Sequence, residues 1–110
     1  MKQTTAYRIM WLQVSFDLPV LVKSEQHAAT SFRKMLLDNG FEMAQFSIYL
    51  RFCSCKEMAE KYIKIIESNL PQTGTINVLM FTDRQYGNMK TFIGKKRKEN
   101  VQGELFFEEI

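Results

Sequence analysis

The stretch at residues 8–19, Arg-Ile-Met-Trp-Leu-Gln-Val-Ser-Phe-Asp-Leu-Pro, is the feature that most constrains how this chain can fold. After the arginine it is apolar apart from one glutamine and one serine. A run of this length and composition predicts a buried strand in the centre of a sheet. The run ends at Asp17, and Pro19 prevents further pairing because proline has no backbone N–H. A single carboxylate is therefore expected where a core strand leaves the core.

Two interpretations of Asp17 are open at this point. Ligands in open α/β sheets tend to bind at the carboxyl ends of strands, which would make Asp17 a catalytic or metal-binding residue. An aspartate two residues before a proline more often caps a turn, and spacing alone favours that structural role.

The chain beyond this strand alternates between helical and extended patterns. Apolar residues at helical spacing predict a first helix at 25–38 with Ser24 as its N-cap. A capping box at 54–57 predicts the start of a second helix. A strand is expected at 75–82. The remaining expected elements are a turn or short helix at 83–90, a short strand at 91–93 and a final strand at 104–110.

Residues 45–52 alternate between apolar and polar side chains, which is the period of a strand with two different faces. The apolar face, predicted to be buried, consists of Phe46, Ile48, Leu50 and Phe52. The other face, predicted to line a dimer interface on the side of the sheet away from the helices, consists of Gln45, Ser47, Tyr49 and Arg51. Residues 41–44 are also strand-like, and the pattern leaves open whether 41–52 forms one bent strand or two.

This order of elements predicts an α+β sandwich with two helices on one face of a sheet. The 110 residues are expected to form one domain, with residues 1–7 flexible and residues 99–110 forming a C-terminal strand or tail. No apolar span of 18 residues exists, so no membrane helix is expected. The N-terminus has no apolar signal core, which predicts a cytoplasmic protein. Cys53 and Cys55 lack a partner pair for zinc and are interpreted as reduced thiols.

The positive charge of the chain is concentrated in residues 84–98. This segment carries six of the fifteen lysines and arginines and no acid, which leaves nine bases against twelve acids elsewhere. A local basic segment is typical of nucleic-acid binding. The predicted DNA-binding residues are Arg84, Lys90, Lys95, Lys96, Arg97 and Lys98.

Several segments, taken in order, resemble CRISPR-associated protein 2, the small subunit of the CRISPR spacer-acquisition complex, in its type II-like form. They are Val-Ser-Phe-Asp-Leu-Pro at 14–19, Phe-Arg-Lys-Met-Leu at 32–36, Gly-Phe at 40–41 with Gln-Phe-Ser-Ile-Tyr at 45–49, Thr-Asp-Arg-Gln-Tyr-Gly at 82–87 and Gly-Lys-Lys-Arg-Lys at 94–98.

The resemblance implies a ferredoxin-like βαββαβ fold with additional C-terminal strands and a symmetric homodimer whose sheets face each other. It implies two strands, at 41–44 and 47–52, and a pair of Asp17 carboxylates near the dimer axis. Two nearby carboxylates raise each other's pKa unless a cation lies between them. Mg²⁺ suits such an open site because it binds one or two carboxylates and keeps several waters.

Two functions follow from the resemblance, and we favour the first. One is a scaffold that binds double-stranded protospacer DNA and bridges dimers of the CRISPR-associated integrase, CRISPR-associated protein 1. The other is a magnesium-dependent endonuclease, acting on RNA or duplex DNA, with Asp17 as the catalytic metal ligand. One carboxylate per chain is few for general nuclease machinery. A weaker third interpretation, an RNA-binding module, needs exposed aromatic residues on the sheet, for which Tyr49 and Trp11 are the candidates.

Overall fold

The computed structural model describes residues 8–94. The predictions for residues 1–7, for the basic cluster Lys95, Lys96, Arg97 and Lys98, and for the C-terminal strand or tail therefore lie outside the described residues. The elements, in chain order, are β1 (Met10–Asp17), α1 (Lys23–Asp38), β2 (Glu42–Gln45), β3 (Ile48–Cys53), α2 (Lys56–Glu67), β4 (Thr75–Thr82) and α3 (Asp83–Gly87).

The four strands form one antiparallel sheet in the order β2-β3-β1-β4. The apolar run of β1 is central, as predicted, and pairs with β4 along its whole length, from Met10 opposite Thr82 to Asp17 opposite Thr75. Two long helices and this strand order give the predicted α+β, ferredoxin-like fold. The symmetric dimer stays a prediction.

The core lies between the sheet and the helices α1 and α2. Alternate residues of β1 point into it, and Leu12 and Val14 are fully buried. The helices supply the apolar stripes expected from their spacing. The buried helix residues are Ala29, Phe32 and Leu36 of α1 and Ala59 and Ile66 of α2. The β4 residues packed against this core are Ile76, Val78 and Met80, as the sequence predicts.

The prediction of which face of β3 lies outward is wrong. Tyr49 pairs with Val14 and Arg51 with Leu12, so these side chains lie on the helix side of the sheet. Tyr49 is only 3% exposed and belongs to the core. The apolar residues of this alternating pattern lie instead on the side of the sheet that α1 and α2 do not cover. We call this side of the sheet the open face; its residues in β1, β3 and β4 include Trp11, Gln13, Ile48, Leu50, Phe52, Leu79 and Phe81.

Residues 41–52 form two strands rather than one, as the family resemblance implied. Phe46 and Ser47 make the turn between β2 and β3, and Ser47 has a positive φ of 63°. Serine adopts this left-handed conformation only at some energetic cost, so the turn is held by its surroundings. One such contact is the hydrogen bond from the Phe16 N–H to the Ser47 carbonyl, at 3.1 Å.

Three local predictions need correction. Helix α1 begins two residues earlier than predicted, with Val22 and not Ser24 at the N-cap position, because Glu25 accepts hydrogen bonds from the backbone of Leu21 and Val22. Helix α2 begins after Cys55, and Ser54 contacts the Met58 sulfur. Residues 91–93, predicted to be a short strand, form none and pair with no strand of the described sheet. Within residues 8–94, no helix is long and apolar enough to cross a membrane.

Candidate active site and basic surface

Asp17 is exposed at the end of the central strand. Its position continues the row of Trp11, Gln13 and Ser15, so its side chain leaves the sheet on the side of the open face. The backbone of Asp17 is held in the ladder with β4 opposite Thr75. A carboxylate on a rigid strand end, free to meet a ligand or a second copy, is the arrangement that the catalytic interpretation requires.

Gly74 packs directly against the backbone of Asp17. Gly74 has a φ of +101°, and a Cβ at this position would lie 2.9 Å from the Asp17 carbonyl oxygen and 2.5 Å from Leu18 Cδ2. Only glycine fits this approach without strain. No local sequence pattern indicates this contact, because Gly74 and Asp17 lie 57 residues apart in the chain.

Asp17 does not belong to a cluster of metal ligands within the chain. Among residues 8–94, no three histidine, cysteine, aspartate or glutamate side chains come together. Asp38 pairs with Lys34 at 3.0 Å on the surface of α1, and His27 is exposed on the same helix, as predicted. A metal site at Asp17 therefore requires ligands from water or from a second chain.

The opposite end of β1 is basic. Arg84 of the predicted DNA-binding set is exposed there, and Lys90 is exposed in the segment after α3. Neither forms a salt bridge with any residue that the structure describes. Arg8 joins them, since it lines the same small surface cavity as Arg84. Antiparallel pairing brings the start of β1 to the end of β4, a signal that could have identified Arg8 from the sequence.

Trp11 holds α3, and with it Arg84, against this end of the open face. Its indole stacks on Tyr86 with the ring centroids 4.0 Å apart and an interplanar angle of 15°. Its Nε1–H donates a hydrogen bond of 2.8 Å to Asp83 Oδ1. Trp11 also meets Phe52 edge to face at 5.6 Å. One face of the Trp11 ring is thus occupied, and with Tyr49 buried, the pair proposed for base stacking is not available on this sheet.

The four predicted interface residues separate into two groups. Gln45 lines a groove of about 660 Å³ on the open face with Ile48 and Leu79, and Ser47 is exposed at the β2–β3 turn. Tyr49 and Arg51 point the other way.

Arg51 stabilises the end of α1 rather than lining a dimer surface. It donates to the Asn39 carbonyl at 2.8 Å and to Tyr62 Oη at 2.9 Å. Its guanidinium lies 3.9 Å from the Tyr62 ring centroid, a cation–π contact. A guanidinium near the C-terminus of a helix is also favourable for the helix dipole. These contacts hold Arg51 on the helix side and explain why its charge did not predict its position.

The two cysteines are free thiols at the junction of β3 and α2. Burial raises the pKa of the Cys53 thiol above its ordinary value, and the nearby Arg51 offsets this only in part. A buried thiol with a raised pKa is a poor nucleophile, which agrees with a structural role.

The fold and the site define a small ferredoxin-like protein with one exposed carboxylate at the end of its central strand and a basic surface at the other end. A family model described as CRISPR associated protein Cas2 matches residues 10–89. The chain belongs to this Cas2 family.

Several relatives are similar over most of their length. A protein of Flavobacterium psychrophilum is 49% identical over 104 residues, covering 91% of this chain and 90% of that protein. One of Paracidovorax avenae is 47% identical over 94 residues, covering 86% and 87%. One of Ligilactobacillus salivarius is 44% identical over 90 residues, covering 82% and 89%. Each is named CRISPR-associated endoribonuclease Cas2. These names support the nuclease alternative better than the scaffold that the sequence led us to favour.

Proposed function

We propose that this protein is a magnesium-dependent endoribonuclease whose site forms when two copies of the chain bring their Asp17 carboxylates together. The observation that carries the proposal is the exposed Asp17 at the end of β1, on the side of the open face. The names of the relatives support RNA as the substrate class.

The open face supplies a reason for two copies to associate. It is not covered by α1 or α2, although α3 packs on its Trp11 end, and Phe52 and Leu79 on it are 46% and 55% exposed. Burying such side chains between two sheets is favourable by about 25 cal/mol for each Å² of apolar surface removed from water. Association through this face would bring two Asp17 side chains towards a common axis.

The carboxylate ligands suit magnesium only when two chains each contribute one. Mg²⁺ accepts one or two carboxylates and keeps several waters, so a pair of Asp17 side chains meets its needs where one chain alone offers a single ligand. When bound, the ion would supply Lewis-acid polarisation of a phosphoryl oxygen. The part of this chain is to hold the carboxylate rigidly, through the β4 ladder and the close packing of Gly74.

The decisive experiment is cleavage of single-stranded RNA by mixtures of wild-type and Asp17→Ala subunits. If both carboxylates are needed, activity falls with the square of the wild-type fraction, so an equal mixture after subunit exchange retains about a quarter of the activity. If each chain works alone, the equal mixture retains about half. Asp17→Ala alone should lose all magnesium-dependent cleavage.

Asp38→Ala is the matched control, because Asp38 is an exposed aspartate whose ion pair with Lys34 lies on the surface of α1. Its cleavage rate should equal that of the wild type. Residual magnesium-dependent cleavage in a purified, folded Asp17→Ala protein would contradict the proposal.

A second function, binding of duplex DNA as an adaptation scaffold that bridges integrase dimers, is supported by the basic segment at 84–98. Contacts to phosphates position a duplex without reading its sequence, which suits a protein that accepts many DNA sequences. Changing Lys95, Lys96, Arg97 and Lys98 to alanine should weaken binding about equally for unrelated duplexes. A dimer neutralising on the order of 6–8 phosphates gives a slope near −6 for log affinity against log salt, and the variant should flatten it.

Two assays, RNA cleavage and spacer integration, distinguish the nuclease function from the scaffold function. Asp17→Ala should leave spacer integration largely intact while it abolishes RNA cleavage. Equal salt slopes for the wild type and the four-alanine variant would mean that this cluster takes no part in DNA binding.

A further inference from the structure

An exposed phenylalanine lies in the turn between β2 and β3, next to the end of β1. Ser15 pairs with Ile48, and the Phe16 N–H donates to the Ser47 carbonyl. Phe46 is the other residue of this two-residue turn between β2 and β3. The side chain of Phe46 is 88% exposed.

A large apolar ring is costly to leave in water, and the turn that presents it is itself strained. Phe46 precedes Ser47, whose φ of 63° lies in the left-handed region. The hydrogen bond to β1 fixes this turn next to the end of the strand. The exposed ring presents a flat apolar surface that a planar ligand group can stack on.

The groove beside Phe46 has the chemistry of a nucleotide site. Its volume is about 480 Å³, and its lining includes Leu18, Val20, Met43 and the hydroxyl-bearing Ser47. Its single charged lining residue is Arg33. Arg33 donates one long hydrogen bond, of 3.4 Å, to the Ala29 carbonyl and forms no salt bridge within residues 8–94. Its remaining donors suit a phosphate oxygen.

We infer that Phe46 and Arg33 form a nucleotide-binding subsite, in which the Phe46 ring stacks on an unpaired base and Arg33 binds the adjacent phosphate. The inference rests on the proposed nuclease function, since it assigns how single-stranded RNA is held at the end of β1 that carries Asp17, in a groove that Leu18 also lines. Duplex nucleic acid is excluded from this subsite because its bases are already stacked on both faces.

Binding of a short single-stranded RNA in EDTA tests the subsite without any cleavage. Stacking on one aromatic residue changes affinity by about 5-fold to about 100-fold, so Phe46→Ala should raise the Kd about 10-fold. Phe46→Trp should retain the affinity, and Phe46→Leu should behave like Phe46→Ala because it keeps apolar surface but no ring. An RNA containing 2-aminopurine should show fluorescence quenching with the wild type and lose it with Phe46→Ala.

Phe92→Ala is the matched control, because Phe92 is also 88% exposed but does not line this groove. It should bind the RNA like the wild type, and binding of duplex DNA should be equal in all variants. An unchanged Kd in Phe46→Ala, or an equal loss in Phe46→Ala and Phe92→Ala, would overturn the inference. Sedimentation of each variant, carried out in parallel, checks that the oligomeric state is the same.

The outcomes distinguish this subsite from the nuclease itself. If the protein binds RNA through Phe46 but does not cleave it, the subsite is supported and the proposed nuclease activity is wrong. If RNA cleavage depends on Asp17 but Phe46→Ala leaves the Kd unchanged, the nuclease activity is supported and the subsite is wrong.

Discussion

The two ends of β1 are built by different physical means. At the Asp17 end, a glycine with positive φ packs against the strand backbone, and the candidate site residues Asp17 and Phe46 are exposed. At the Trp11 end, a stacked indole and a hydrogen bond to Asp83 fasten a short helix over the sheet. Seven residue steps at 3.3 Å each separate the two ends by about 23 Å.

This difference suggests a division of work within one small domain. The Asp17 end holds a carboxylate with backbone geometry alone, which leaves its surface free for a ligand. At the Trp11 end, contacts between side chains hold α3, which carries the exposed Arg84, near the exposed Arg8. If the ends are independent, changes at one should leave the activity of the other intact, and the following substitutions test this.

Gly74→Ala should have the largest effect. The new Cβ would lie 2.5 Å from Leu18 Cδ2 and overlap it. The backbone at this position, with a φ of +101°, is also one that alanine rarely adopts. We expect a loss of about 3 kcal/mol in the free energy of unfolding, measured in urea. RNA cleavage should fall, while the salt dependence of duplex DNA binding should not change.

Gly87→Ala is the control for this substitution, because a Cβ there meets nothing within 4 Å. Its stability should equal that of the wild type or exceed it slightly. An undiminished stability in Gly74→Ala would mean that the loop before β4 can move away from Asp17, contrary to our view of a rigid site.

Trp11→Ala should cost about 2 kcal/mol, since a half-buried indole loses its stacking on Tyr86 and its contact with Phe52. Binding of duplex DNA should weaken because α3 is no longer held in place. Combined with Gly74→Ala, the effects on stability should add to within about 0.5 kcal/mol, as for distant sites. A larger coupling energy in this double-mutant cycle would show that the two ends are not independent.

Asp83→Ala should cost about 1 kcal/mol, the contribution of a hydrogen bond from an indole to a charged acceptor at a partly exposed site. Trp11→Phe removes the same hydrogen bond from the other side and keeps an aromatic ring. Thermal unfolding of the two variants should give similar shifts. A much larger loss for Asp83→Ala would assign Asp83 a further role at the start of α3.

The double change Arg8→Ala with Arg84→Ala should have the smallest effect on stability, within about 0.5 kcal/mol, because the two side chains are exposed. The variant should change DNA binding instead. Because a dimer loses four arginines, the slope of log affinity for duplex DNA against log salt should become less steep by up to about 4. Lys56→Ala with Lys64→Ala removes the same charge from the surface of α2 and should leave the slope unchanged. Equal slopes in the two double variants would indicate that net charge alone governs binding.

The sequence by itself determined the order of the elements, the central position of β1 and the place of Asp17 at its end. These follow from local patterns: an unbroken apolar run, helical spacing of core residues, and a proline that ends pairing. The family resemblance added the break between β2 and β3, which local pattern left open because no glycine or proline marks the turn at Phe46 and Ser47.

Only the tertiary structure decided which face of β3 lies under the helices. Alternation reveals that a strand has two faces, but the register with β1 assigns them, and it pairs Tyr49 and Arg51 with the buried Val14 and Leu12. An arginine can occupy the buried side because Tyr62 and the Asn39 carbonyl satisfy its guanidinium. Three features join segments distant in the chain, and no local pattern contains them: the packing of Gly74 against Asp17, the cavity that Arg8 and Arg84 both line, and the hydrogen bond from Phe16 to Ser47.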